Sequence, residues 1–303
     1  MFSDLELDAF REAGRISALA RDRAAAQARP GVLLRHVQEH AEEVIREAGA
    51  APSFPAQTSR NQVAAHYCSS PEDNARFEEG DLVKVDVGAH IDGYPADTGV
   101  SVDLSLDGHW SGLIGAASEA LDAAIASVRH GVRVGRIGSI IEGAIKAAGF
   151  RPIANLSGHG LDRWSLHAAP QIPNVAIAGG STLRTGAVFA IEPFSTTGAG
   201  FVNETGIAEV FSQDAPDLPR GGSDPDDSCF TGIESWHGLP FARRYFPDAP
   251  RKRLEECLRD LTRCGAVHAY RPLIEVSGGM VAWKEHTIYL GESGAEILTQ
   301  GSP

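Results

Sequence analysis

The stretch KVDVGAHIDGYPADTGVSVDL, residues 84–104, decides how this chain folds, because it reads as two β-strands joined by Asp92-Gly93 and yet carries Asp86 and Asp97 within them. Asp-Gly between alternating, β-branched runs predicts a two-residue hairpin turn with positive φ at both central positions. With Asp92 and Gly93 in those positions, Ile91 faces Tyr94, Gly88 faces Asp97 and Asp86 faces Gly99. Strand side chains alternate with period two, so Asp86 shares a face with Gly88 and is a diagonal neighbour of Asp97. Diagonal neighbours lie about 7–8 Å apart, within leaning distance of one another. Two bare carboxylates that approach repel, so one holds a proton or a cation sits between them, and a hard divalent metal bound through oxygen meets that need. The ordinary alternative is two solvated edge residues. Two Asp rarely complete a metal site, so the rest of the chain has to supply His, Glu or Asp in equally unusual settings.

Three such settings exist. NLSGHGLDRWSLH, residues 155–167, places His159 between glycines, where backbone approaches closely, and ends on His167. Glu192 stands in the apolar run VFAIEPFS, immediately before a proline that ends strand pairing. Glu285 stands in the β-rich run GGMVAWKEHTIYL. Each is by itself unremarkable, since a His beside Gly is commonly structural and a strand Glu commonly solvated.

Outside these stretches the chain is a conventional globular sequence. Its 303 residues, 43% hydrophobic, suffice for a sizeable core as one large domain or two smaller ones. A formal net charge of −13 argues against an overall fit to nucleic acid or anionic lipid. No apolar run approaches the roughly 18–20 residues of a membrane span, and the charged N-terminus lacks a secretory apolar region. A cytoplasmic, soluble protein is expected. Cys68, Cys229, Cys257 and Cys264 show no C-x-x-C spacing, and reduced thiols are expected.

Helical periodicity spans Asp4 to about Gln27, with Ser3 or Asp4 as N-cap, and recurs in LLRHVQEHAEEVIREAG up to Gly49. Residues 111–130 and 136–148 predict two more helices. The tract 212–227, dense in Asp, Pro and Gly, reads as a mobile surface loop. FARRYFPDAPRKRLEECLRDLTRCG reads as one helix with a solvated basic face, carrying seven Lys or Arg against four Asp or Glu from Phe241 to Arg263.

Taken in order, Asp86, Asp97, His159, Glu192 and Glu285 give the chain a recognisable pattern. It resembles the methionine aminopeptidases, in the type 2 group of archaeal and eukaryotic form, within the pita-bread metallopeptidase family. The resemblance runs nearly end to end: FP at Phe54-Pro55, AAHY around His66, DVGAHIDGYPAD, LSGHG with His159, LHA with His167, AIEPF with Glu192 and EHT with Glu285. The type 2 likeness rests on a segment of roughly 214–270, including GLPFARRYF, inserted before EVSGGMVAWKEHT.

This resemblance implies an α+β pita-bread fold: a curved antiparallel sheet covered by helices, one catalytic domain over 1–303, with a small helical insertion at 214–270. It implies two divalent metal ions per subunit, Co, Mn, Zn or Fe, with Asp97 and Glu285 bridging, Asp86 on one ion, and His159 with Glu192 on the other. A water activated between the ions would attack the first peptide bond, with Glu192 as proton shuttle. His66 would contact the substrate near the scissile amide, His167 would stabilise the developing oxyanion, and Phe54 would line the methionine pocket. The implied substrates are nascent polypeptide N-termini with a small second residue. A monomer, contact with the ribosome, and no membrane or specific nucleic-acid partner are expected. Two departures, AWK before Glu285 and GHGLDRW where a tyrosine is usual, bear on pocket shape and touch no ligand. Prolidases and other proline-specific relatives share the five ligands; the insertion and the lack of a separate N-terminal domain favour methionine release. A non-catalytic ribosome- or RNA-binding relative is disfavoured, because all five ligands and both histidines are present.

Overall fold

The computed structural model describes residues 2–218 and 228–301. Of the tract expected to form a surface loop, residues 219–227 therefore lie outside the described residues.

The hairpin is the central ladder. Strands Leu82–Ile91 and Tyr94–Asp103 pair antiparallel with Ile91 opposite Tyr94, Gly88 opposite Asp97 and Asp86 opposite Gly99. Asp92 has φ +50° and Gly93 φ +86°, as the two-residue turn requires. Alternation then sorts the first strand: Val83, Val85, Val87 and Ala89 enter the core beneath two helices, while Lys84, Asp86 and Gly88 turn to the opposite face. The covering helices are α1 (Asp4–Gln27) and α2 (Leu34–Glu47), which contribute Ile16, Ala20, Val37 and Ala41 to that core. Ser3 caps α1 in a capping box with Glu6.

Helices α3 (Ser111–Ser127) and α4 (Val134–Ala147) cover a five-stranded antiparallel sheet through Leu121, Ile137 and Ile141, packed on Phe189, Ile191 and Ile288. That sheet contains Ser157–Asp162, Ser165–Pro173, Val188–Ile191, His286–Gly291 and Gly294–Ile297. Paired helices on the outside of antiparallel ladders make this an α+β architecture. Among the described residues no helix is long and apolar enough to cross a membrane.

Three expectations are corrected between residues 210 and 264. Ser212 and Gln213 are not loop: Val210–Gln213 is a strand paired with Phe241–Ala242 and with Val267–Tyr270, and Leu218 is buried beyond it. The strand-like segment GIAEVFS, residues 206–212, is expected from the sequence, and the strand it forms runs on to Gln213, into the tract dense in Asp, Pro and Gly. The single helix expected from Phe241 breaks up into a strand at Phe241–Ala242, a 3-10 turn at Arg243–Tyr245 and α6 (Arg251–Arg263), because Pro247 and Pro250 interrupt helical hydrogen bonding. Arg243 and Arg244 consequently leave the solvated face: Arg243 pairs with Glu209 at 3.2 Å and Glu255 at 3.1 Å, and Arg244 meets buried Glu42 and Cys68.

Thirdly, Cys229 and Cys257 form a disulfide, while Cys68 and Cys264 remain thiols. The partners are 28 residues apart in sequence, a spacing without a motif. They meet because α5 (Ser228–Glu234) and α6 pack around Ile233, Leu254 and Leu258.

Candidate metal centre

The carboxylates stand where ladders pass from one sheet to another. Val188–Ile191 pairs with His286–Gly291, and Phe194–Thr196 pairs with Val281–Trp283 in a separate sheet. Ile191 opposite His286 and Phe194 opposite Trp283 share one register, so the interrupted middle brings Glu192 opposite Glu285. Pro193, with no N–H to donate, makes the interruption. Both glutamates are thus placed by a break in pairing rather than by a loop.

This broken pair is fastened to the hairpin. Glu285 N donates to Gly99 O at 3.0 Å and Thr98 Oγ1 donates to Glu285 O at 2.9 Å. Asp97 N donates to Thr287 Oγ1 at 2.8 Å, and the same hydroxyl donates to Asp97 O at 2.8 Å. Gly99 is needed for the approach: a Cβ there would lie 1.9 Å from the Trp283 ring. His159 comes from Ser157–Asp162, whose Gly160 pairs with Phe189.

The side chains converge. Asp97, His159 and Glu285 each present a ligand atom within 4.8 Å of the others. His159 Nε2 lies 3.5 Å from Asp97 Oδ2 and 3.7 Å from Glu192 Oε1. Asp86, Asp97, His159, Glu192 and Glu285 all line one cavity of about 210 Å³, together with His66, His167 and Phe54. All eight site residues expected from the sequence therefore face a common space. Gln57, Tyr270 and Trp283 also line it and were not anticipated. Tyr270 carried no local signal, since it arrives from a strand paired to Val210–Gln213. Gln57 had one, its place a few residues after Phe54-Pro55, which passed unread.

The electrostatics ask for a cation. Burial, and then the charge of Asp97, push Asp86, Glu192 and Glu285 well above the usual carboxylate values of 3.8 and 4.5. Asp86 Oδ1, Asp97 Oδ1 and Glu285 Oε1 are buried with no hydrogen-bond partner. Buried, unpaired carboxylate oxygens cost several kcal/mol unless neutralised or coordinated. Four carboxylates and one imidazole aimed into a shared space are a donor set that fits divalent cations of the first transition row.

Protonation sets the sign of a measurable effect. The metal-free folded chain holds protons on these three carboxyls that the unfolded chain releases above its ordinary values, so their contribution to stability is fully present below those ordinary values and is lost as pH rises toward the raised folded values. In chelator, above about pH 7, where the buried histidines are neutral in both the folded and the unfolded chain, the melting temperature is expected to decline toward about pH 8.5 as these groups ionise, and a divalent cation to abolish the decline. A melting temperature that stays flat or rises over that range in chelator would contradict the buried, unpaired arrangement.

The histidines are poised as neutral donors. Burial pushes His66 down to about 4. His167 is exposed at the cavity mouth; the dense protein around it, then His159, His66 and His268, push it well below 6.5. The rings of His159 and His167 meet edge-on at 4.6 Å.

The sequence model of metallopeptidase family M24 matches residues 8–221 of this chain. The chain belongs to the M24 metallopeptidases. Membership of M24 brings divalent metal binding with it, as the donor set requires. Within M24, the chain is 45% identical over 289 residues to a methionine aminopeptidase of Archaeoglobus fulgidus, covering 95% of this chain and 97% of that one. It is 41% identical over 298 residues to a methionine aminopeptidase of Pyrococcus horikoshii, covering 98% of this chain and all of that one, 100%. Among solved structures it is similar to the methionine aminopeptidase of Thermotoga maritima, with a TM-score of 0.73 and 25% identity over 99% of this chain and 98% of that one. The α+β pita-bread fold expected from the sequence is the M24 fold found here.

Proposed function

We infer that the protein is a metal-dependent methionine aminopeptidase, removing the N-terminal methionine of nascent polypeptides whose second residue is small. The observation that carries this reading is the 45% identity to an archaeal methionine aminopeptidase over nearly the whole of both chains. Ligands alone do not separate it from proline-specific relatives.

The type 2 assignment is supported by the 41% identity that extends over 298 residues, too long a span to leave out 214–270. Within the single catalytic domain, that segment leaves from the strand Val210–Gln213 and returns as Val267–Tyr270 paired to it, an insertion closed at its root. Its own core includes Ile233, Phe241, Leu254 and Leu258.

In this reading Asp86, Asp97, His159, Glu192 and Glu285 would hold two divalent ions, drawn from Co, Mn, Zn or Fe, with Asp97 and Glu285 shared between them, Asp86 serving one and His159 with Glu192 the other. Such a centre supplies a water ionised near neutral pH and an electrophile for the scissile carbonyl. Glu192, 3.7 Å from His159 and raised in pKa by burial and by Asp97 and Asp86, is suited to take up a proton and pass it to the leaving amine. His66 and His167, neutral at physiological pH, donate hydrogen bonds to the substrate near the scissile amide and to its carbonyl oxygen. Phe54, 3% exposed, forms apolar wall for the methionine side chain, in a cavity larger than the roughly 150 Å³ that admits benzene.

The test is competition between peptides. Incubated with Met-Ala-Ser and an Ala-Pro peptide in the presence of added divalent cation, the protein is expected to release methionine from the first and leave the second intact. Cleavage of the Ala-Pro peptide with Met-Ala-Ser untouched would establish the proline-specific alternative.

A further inference from the structure

His66 has an unusual backbone. It follows the short strand Val63–Ala65 and sits at φ +67°, in the left-handed region that a residue with a Cβ avoids. Leaving the strand in that conformation turns the imidazole off the sheet edge and into the cavity, where its ring meets Tyr270 edge-on at 5.3 Å. Something must hold it there.

The neighbours of His66 are tied down separately. Tyr67 N donates to Ser59 Oγ at 3.3 Å, Thr58 N donates to Tyr67 O at 3.1 Å, and Ser69 N donates to Gln38 Oε1 at 2.9 Å. The amide of His66 itself donates to Gln57 Oε1 at 2.7 Å, a bond that closes the loop between the two residues. Gln57 is 5% exposed, lines the cavity, and pairs directly with Asp86 across the ladder. Directly opposed residues share a face. One side chain therefore refers the backbone of His66 to the strand that carries Asp86.

We propose that Gln57 is a positioning residue for the aminopeptidase reaction, its side-chain carbonyl holding His66 in the left-handed conformation that presents the imidazole to substrate. This rests on the role of His66 given above. Without the acceptor, the His66 amide loses its partner and the residue relaxes toward the extended conformation of the preceding strand, carrying the ring away from the cavity. Gln57 acts through His66 and touches no reacting atom.

A double-mutant cycle tests it, using the metal-loaded enzyme and Met-Ala-Ser. Gln57→Met and Gln57→Leu keep bulk and remove the acceptor. Each is expected to lower kcat about tenfold while KM stays within about twofold, and in the His66→Ala background to change kcat less than about twofold, the signature of two groups acting as a unit. Metal content is expected to match that of the parent. An equal loss in both backgrounds, a loss that tracks metal content, an unchanged kcat, or failure of both variants to unfold cooperatively would overturn the assignment. Full turnover by His66→Ala alone would instead bring down the role of His66, a failure visible before any Gln57 variant is made.

Discussion

Asp97→Asn and Glu285→Gln are each expected to lower turnover of Met-Ala-Ser at least about a thousandfold, roughly 4 kcal/mol of transition-state stabilisation, through loss of a carboxylate proposed to bridge two metal ions. The substitutions are nearly isosteric, and the contacts that place both residues are made by their backbones: Asp97 through Thr287, Glu285 through Gly99 and Thr98. The fold therefore survives. In chelator Asp97→Asn is expected to be more stable than the parent, because a neutral amide removes the charge that, after burial, raises Asp86 and Glu192. On adding metal the order should reverse, since the variant binds it less tightly. Full turnover by either variant with metal restored would remove Asp97 or Glu285 from the bridge.

His66→Ala is expected to lower kcat about 10²–10³-fold with bound metal unchanged, the effect of deleting one well-placed donor. Because burial depresses His66 to about 4, its imidazole is neutral across the physiological range. The ratio of wild-type to variant kcat should therefore be constant from about pH 6 to about pH 8, above the folded pKa. A ratio that collapses within that range would mean that His66 acts through its charged form. Loss of metal from the variant would make His66 a ligand rather than a donor to substrate.

Much of the site was legible because its signals are local. Asp92-Gly93 dictated a two-residue turn, the turn dictated the register, and the register placed Asp86 and Asp97 on one face, as observed. Pro193 announced that pairing stops beside Glu192, and the break proved to be what exposes Glu192 and Glu285 to each other. The order of the motifs then pointed to His159, Glu192 and Glu285, which line the same cavity as the two aspartates. What misled was composition. Arg243 and Arg244 counted as solvated charges because basic runs usually are, but two prolines bend the chain there and deliver both guanidiniums to carboxylates from distant segments.

The sequence by itself determined the hairpin and the capped first helix, because turn chemistry, capping and alternation act between residues a few positions apart, and the order of its motifs, through their resemblance to the methionine aminopeptidases, named eight of the residues that line the cavity. Only the tertiary structure decided that Cys229 bonds Cys257, that Arg243 and Arg244 meet buried carboxylates, and that Gln57 Oε1 accepts from the His66 amide. Those outcomes depend on distances between segments that no spacing encodes. They are set by how helices and ladders pack, and a buried hydrogen bond or sulfur pair forms only once that packing has brought its partners together.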